Sequence, residues 1–577
     1  MISTSEFPTE GQSPEKQLPD QEHGAKPSKL LFPVAVVLIL ILVLYGFLLF
    51  QGLPQRWTEA ANADHYAAEH GHGEHNAEKE VHPPYPPYIM VAPFVILLLC
   101  IATLPLIPVT AHWWESNTNK LLIAGSLGLL TLLYYFLGNI PVEQHLIEHK
   151  MIEPAEGGFA LAKTVFMNAI VVEFLPFIVL LFALFTITGG IRICSSLKAT
   201  PFINCMILLI GSILASFIGT TGAAMLLIRP LLDMNRGRKH QIHTIVLFIF
   251  CVCNCGGCLT PLGDPPLFLG YLSGVPFEWT FNLWVEWACV NLLLISFYFL
   301  WDALLYYRRE AKEYRKRKND STQKLLIISG WMLNVPLLLG VIAAIAFLDP
   351  SRTVPGTDWH PWYYLREVVQ LGLVAISLLF SSTRIRKENV FNFLAIGEVA
   401  ALFFGIFLCM QVPLQILNVH GQNIVTHAQK TAGLNKEKLF FWATGSLSAV
   451  LDNAPTYVVF FETAKSLTPN SEAELEADFN EESLPKWKKD GGQWVSVDGK
   501  RKLVPVTRGF IEHTLLIAVS LGAVFMGAMT YIGNGPNFLI KAVAEQDGVA
   551  MPSFFGYMVY SCLILLPLLV VMTLVFL

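Results

Sequence analysis

The chain has 577 residues, of which 54% are hydrophobic and 14% charged, with a formal net charge of −5 at pH 7 and a mean hydropathy of +0.51. Soluble domains carry about 25% charged residues, so an assembly of water-soluble domains is excluded, and the near-neutral balance offers no basic surface for nucleic acid. Apolar runs close to the roughly 20 residues that cross a bilayer recur from residue 32 to the last residue, so the fold class expected is an all-α polytopic membrane protein whose main partner is the lipid bilayer.

Residues 1–30 are polar and lack the charged n-region and small-residue cleavage site of a signal peptide. They are expected to form a disordered cytoplasmic tail ahead of a retained membrane helix, 31–50. Residues 51–85 are acidic and His-rich (His65, His70, His72, His75, His82) and are expected as an external loop, either a solvated tract or a scavenger of Zn²⁺ or Ni²⁺. Scaffold helices follow at 86–160, a first transport repeat at 161–305, a basic cytoplasmic loop at 306–323, linking helices at 324–390 and a second transport repeat at 391–577. An external insertion, 466–510, interrupts the second repeat; it carries Trp487 and Trp494 and either folds as a small lid or stays mobile.

Further spans are expected near 88–110, 119–138, 166–191, 241–272, 279–305, 324–348, 363–381, 391–417, 511–545 and 553–577. Segments 202–234 and 438–466 are apolar but broken in the middle, with arms too short to span comfortably, and read as re-entrant hairpins. The positive-inside rule places the Arg308–Lys318 cluster and Lys324 in the cytoplasm. Arg192, Lys198, Arg236, Arg238, Lys239, Arg384, Arg386 and Lys387 then fall on the same side only if both broken segments are hairpins. The two halves are thereby inverted relative to each other, with one hairpin opening to each side.

The breaks are made by two polar phrases, each occurring twice. The hairpins carry Gly219-Thr220-Thr221-Gly222 and Leu451-Asp452-Asn453-Ala454-Pro455-Thr456. Spans 241–272 and 511–545 carry Thr260-Pro261-Leu262-Gly263-Asp264-Pro265-Pro266 and Thr530-Tyr531-Ile532-Gly533-Asn534-Gly535-Pro536, each followed by one residue and Phe-Leu. Prolines forbid continuous helix here, and lipid tolerates unwound backbone only where protein or a cavity surrounds it. Paired interruptions in two halves point to a transport site. Within each pair only one copy is acidic, Asp264 against Asn534 and Asp452 against Thr220 and Thr221. A buried carboxylate must be paired, protonated or bound to a cation, and neither phrase holds Arg or Lys, so a bound cation is expected. The alternative is that both carboxylates cap half-helices. Thr220, Thr221, Thr260, Asn453, Thr456, Asn534 and Asn537 are the oxygen-bearing neighbours expected in the ion- or substrate-binding set.

Glu173 and Glu398 lie in apolar runs at the first span of each half. Intramembrane acids default to ion or proton pathways, so both join the proton/cation-coupling set; scaffold hydrogen bonding is the alternative. Cys251, Cys253, Cys255 and Cys258 lack the paired spacing of zinc ribbons and read as small packing residues, with a soft-metal role as the alternative. The ten cysteines lie almost wholly in apolar runs, so no disulfide framework is expected. Arg229, before Pro230, reads as an interfacial snorkelling residue; pointing into a cavity, it would favour an anion.

Gly256-Gly257 with Thr260–Pro266, and Ser448-Ala449-Val450-Leu451-Asp452-Asn453-Ala454-Pro455, resemble the ion transporter superfamily, which includes NhaD-type Na⁺/H⁺ antiporters, arsenite permeases and citrate and dicarboxylate carriers. The resemblance covers roughly residues 86–577 and is strongest to the branch described as sodium:proton antiporter or citrate transporter. Asp452-Asn453-x-Pro455 is the more antiporter-like feature. Thr220-Thr221 departs from the Asn-Asp that antiporters often carry, leaving one carboxylate fewer. The resemblance implies a homodimer with a fixed scaffold and an elevator-like transport part bearing both hairpins. The function expected is antiport of Na⁺ or Li⁺ against H⁺ across the inner (cytoplasmic) membrane of a bacterium, with Asp264 and Asp452 binding cation or proton and Glu398 relaying protons. The second expectation is a Na⁺- or H⁺-coupled carrier of citrate or another small carboxylate, and arsenite export is third. No H-E-x-x-H motif suggests an intramembrane enzyme, and no cofactor is expected beyond the transported ions.

Overall fold

The computed structural model describes residues 27–56, 85–310 except 139, 146–150, 196 and 198, and 326–577 except 351, 355, 470–471, 478–485, 491–492 and 508. Residues 1–26 of the expected tail, the five loop histidines and most of the basic loop lie outside the described residues; residues 27–30, expected in the tail, belong to the helix Pro27–Phe50. Within them the chain is an all-α polytopic membrane protein. Asn117–Leu137, Gly158–Thr188, Pro201–Ile218, Phe277–Glu310 and Phe554–Phe576 are each long and apolar enough to cross a bilayer.

Two expected spans bend. The first runs Tyr88–Thr103 and then turns by 103° into Pro108–Trp114, because Pro108 takes the first helical position of the second piece and cannot continue the first. The second runs Leu394–Cys409 and turns by 44° into Gln411–Ala432. That second arm extends well beyond the expected end at 417. Its Gln, Asn, His and Lys residues suit a helix but carry no membrane signature.

The two segments expected as re-entrant hairpins are packed helix pairs, Pro201–Ile218 with Thr220–Asn235 and Lys436–Ser448 with Asn453–Lys465; contrary to the expectation that the arms are too short to span, Pro201–Ile218 is long and apolar enough to cross a bilayer. The first turns at Gly219, whose φ of +81° lies where a side chain is strained. The first broken span comprises Ile242–Cys251, a short turn of helix at Cys255–Cys258, and Pro265–Leu272; the second comprises His513–Met526, Gly527–Met529 and Gly535–Gln546. These spans form the centre of the molecule. Val246 through Cys253 are wholly buried, and a helix buried on every side must be apolar on every side.

Around this centre, Asn117–Leu137 and Leu394–Cys409 run parallel in close register. Asn117 Nδ2 donates to the Leu394 carbonyl at 2.9 Å, and a Cβ on Gly405 would lie 2.4 Å from the Ala124 carbonyl oxygen, the small-residue contact that lets membrane helices approach. The described part of the 466–510 insertion is folded: hairpins Trp487–Asp490 with Gln493–Ser496 and Leu503–Val506 with Gly509–Glu512 share a small core of Leu475, Trp487, Trp494 and Leu503. Thr507 N donates to the Ser273 carbonyl at 2.9 Å, tying the insertion to the end of the first broken span.

Candidate functional site

The two broken spans unwind in the same way. Thr260 Oγ1 donates to the Ser216 carbonyl of the first hairpin, and its repeat mate Thr530 donates to the Ala449 carbonyl of the second at 2.6 Å. Each threonine oxygen also accepts a backbone N–H further along its own turn, from Leu262 at 3.2 Å and from Gly533 at 3.1 Å. Glycines make the turns possible. A Cβ on Gly263 would meet the Gly257 carbonyl oxygen at 2.2 Å, and one on Gly533 the Gly527 oxygen at 2.6 Å. The repeated spacing of the phrases therefore encodes a repeated lock between each hairpin tip and its neighbouring broken span.

All four phrases meet at one side chain. Asp264, 1% exposed, accepts at Oδ1 from Thr220 Oγ1 (3.0 Å) and Asn534 Nδ2 (3.1 Å), and at Oδ2 from Asn453 Nδ2 (2.5 Å). Its backbone is extended at the N-cap position of Pro265–Leu272, yet its carboxylate caps nothing and turns to the neighbouring phrases instead. Helices start at Thr220, Pro265, Asn453 and Gly535, so four N-termini, each worth up to about half a positive charge, begin at residues that build this junction. No Lys or Arg pairs with Asp264 among the described residues. Asn453 Oδ1 is buried there without a hydrogen-bond partner among the described residues, an acceptor whose desolvation none of them offsets.

Asp452 is placed differently. Its Oδ1 accepts from Ala454 N at 3.2 Å, and its carbonyl accepts from Thr456 Oγ1 at 3.0 Å, so it serves as the N-cap of Asn453–Lys465. The capping alternative thus describes Asp452 and not Asp264. Thr221 makes no side-chain hydrogen bond among the described residues. Asn537 Nδ2 donates to the Gly527 and Thr530 carbonyls at 2.9 Å each, holding the second break from within.

The two membrane glutamates lie in other surroundings. Glu173 sits in a π-helical stretch, Met167–Phe174, a feature frequent at functional places, and accepts from Gln411 Nε2 at 3.2 Å. Glu398 lies one turn into its helix, half exposed, in an ion pair at 2.6 Å with the buried Lys120. Neither shares a hydrogen bond or ion pair with the Asp264 group among the described residues.

Sequence reasoning missed Asn254. Wholly buried, it donates to Asn537 Oδ1 (2.7 Å) and the Ile249 carbonyl (2.9 Å) and accepts from Asn534 Nδ2 at 3.2 Å, joining the two broken spans behind Asp264. The available signal was an amide inside an otherwise apolar run. The four cysteines around it are buried and unpaired, and no group of three or more His, Cys, Asp or Glu side chains suited to a metal occurs among the described residues.

Fold and junction together define a class: a multi-pass helical membrane protein whose broken helices enclose a polar centre inside an apolar core. The profile of a family described as putative citrate transport matches residues 85–577. The chain belongs to that family of membrane transporters. No curated protein matches it.

Proposed function

We propose that the protein is a secondary transporter that exchanges Na⁺ or Li⁺ for H⁺, with Asp264 as the group that binds cation and proton in turn. The observation that carries this reading is the carboxylate held by neutral donors alone beside the unpartnered Asn453 Oδ1. A hard cation takes oxygen ligands, and carboxylate, amide and hydroxyl oxygens are what Asp264, Asn453 and Thr220 supply. An anion would meet an existing carboxylate with no basic side chain against it. Asp452, whose carboxylate lies one residue before Asn453, adds negative charge to the same tip. Competition of cation and proton for one carboxylate couples their fluxes without further machinery. The two hairpins with their broken spans would move as a unit past a scaffold that includes Asn117–Leu137 and Leu394–Cys409, in a homodimer of the inner membrane with its N-terminus in the cytoplasm.

The second reading is a carrier of citrate or a related carboxylate coupled to Na⁺ or H⁺. The family description favours it, as do four helix N-termini at one point, an arrangement suited to anions. Proteoliposomes separate the two. The cation reading predicts that Na⁺ alone discharges an imposed proton gradient. Discharge only when citrate or another carboxylate is present would replace it with the second.

A further inference from the structure

The amides behind Asp264 have a fixed polarity. A backbone carbonyl only accepts a hydrogen bond, so a side-chain amide facing one presents its NH₂ end. Asn537 Nδ2 faces the Gly527 and Thr530 carbonyls, which leaves its Oδ1 towards Asn254. Asn254 Nδ2 meets that oxygen at 2.7 Å and the Ile249 carbonyl at 2.9 Å, which leaves its own Oδ1 towards Asn534. Asn534 Nδ2 in turn lies 3.2 Å from Asn254 Oδ1, 3.0 Å from the Cys253 carbonyl and 3.1 Å from Asp264 Oδ1. The two hydrogens of one amide thus serve three acceptors, one of them the junction carboxylate.

The internal repeat supplies a control. Positions 270 residues apart correspond, as Asp264 and Asn534 do, so the repeat mate of Asn254 is Val524 and that of Asn537 is Leu267. All four are buried, and both breaks carry the same threonine lock. A break therefore forms with an apolar side chain at either position, and the amides are not what unwinds the helix. They stand in different halves at non-equivalent positions and meet each other behind the one acidic copy.

We propose that Asn254 is a positioning residue for the exchange: its Oδ1 competes with Asp264 for the hydrogens of Asn534 and so sets how firmly the carboxylate holds its proton. The inference rests on Asp264 being the group that binds cation and proton in turn. A hydrogen bond to a carboxylate favours its charged form, so whatever Asn254 withdraws from Asn534 makes Asp264 easier to protonate. When a proton or a cation occupies Asp264, the Asn534 hydrogens turn to the Cys253 and Asn254 oxygens, and no buried donor is stranded. The other titratable groups about Asp264 are Cys253, Cys255 and Cys258 of its own broken span and Asp452 at the second hairpin's tip. The first hairpin presents the Thr220 hydroxyl and the second broken span the Asn534 amide. A change at position 254 leaves all of these side chains in place and acts on the amide.

The test follows the Asp264 carboxyl in the full chain in detergent, by infrared difference spectroscopy across pH, as the band that Asp264→Asn lacks. Asn254→Val, which installs the repeat-mate residue, lowers the midpoint of that band by about half a pH unit, the worth of part of one hydrogen bond. Asn254→Val with Asn537→Leu removes both sides of the amide contact, and it gives the same shift should the single variant not be recovered folded. Asn534→Leu raises the midpoint, and in that background Asn254→Val shifts nothing further, because Asn254 acts through Asn534. The proposal is overturned by a midpoint that is unmoved or raised by the change at position 254, or moved equally with and without Asn534. Proton release on Na⁺ addition is recorded on the same samples. Its absence from the wild type, with the band still shifting, overturns the cation reading and leaves the action of Asn254 on the carboxyl standing; a wild type with no band beyond those of Asp264→Asn overturns both.

Discussion

Asn453 Nδ2 lies 2.5 Å from Asp264 Oδ2, across 189 residues of sequence. The amide comes from a hairpin tip in one half of the chain and the acid from a broken span in the other. The Asn453 donor is engaged while its acceptor, Oδ1, has no partner among the described residues. A side chain held in this way is oriented by the carboxylate and leaves one oxygen for a ligand.

Asn453→Ala removes both roles. The apparent affinity for Na⁺ falls by about tenfold or more, since a hydrogen bond to a charged group is worth roughly 1.5–3 kcal/mol. Sodium titration of the purified protein measures this, and an affinity within twofold of wild type would remove Asn453 from the site.

Asp452 has a structural duty and a charge, and two substitutions separate them. Asparagine caps a helix about as well as aspartate, so Asp452→Asn keeps the melting temperature while reducing Na⁺-driven proton movement. Asp452→Ala loses about 1 kcal/mol of stability as well. Equal activity of Asp452→Asn and wild type would confine Asp452 to capping.

The glycines at the breaks should rank by the space around them. An added methyl meets backbone oxygen at 2.2 Å at Gly263 and 2.6 Å at Gly533, whereas the nearest atom at Gly527 is the Asn254 side-chain oxygen at 3.1 Å. Overpacking costs about 1–3 kcal/mol, occasionally more. Thermal stability in detergent should therefore drop most for Gly263→Ala, less for Gly533→Ala and least for Gly527→Ala.

Arg238 and Asp302 form a buried pair at 2.5 and 2.9 Å, which His243 Nε2 joins at 3.1 Å. Breaking such a pair from one side leaves a buried charge uncompensated, at about 3–5 kcal/mol. Arg238→Met alone should lower the melting temperature markedly, and Arg238→Met with Asp302→Leu should recover part of it. A double variant less stable than the sum of its parts would contradict this account of the pair.

The hairpins and broken spans were legible because polar, proline-bearing phrases inside apolar runs have few physical explanations. The difference between Asp264 and Asp452 was not, since both are acids at the start of a half-helix. It arises from where each carboxylate turns, towards Thr220, Asn453 and Asn534 in one case and towards its own helix in the other. Glu398 looked isolated in its apolar run because Lys120, its partner, stands on a different helix in a register that only packing sets. Asn254 was hidden for the same reason, its partners Asn534 and Asn537 lying in the other half. The polar arm Gln411–Ala432 lacked hydropathy, the main signal by which the other spans were recognised.

The central claim is that cation and proton compete for Asp264. Adding Na⁺ to the purified protein in weakly buffered detergent solution, and measuring the protons released, tests it directly. The wild-type protein should release protons on Na⁺ addition and Asp264→Asn should release none. Equal release from both would contradict the assignment of Asp264.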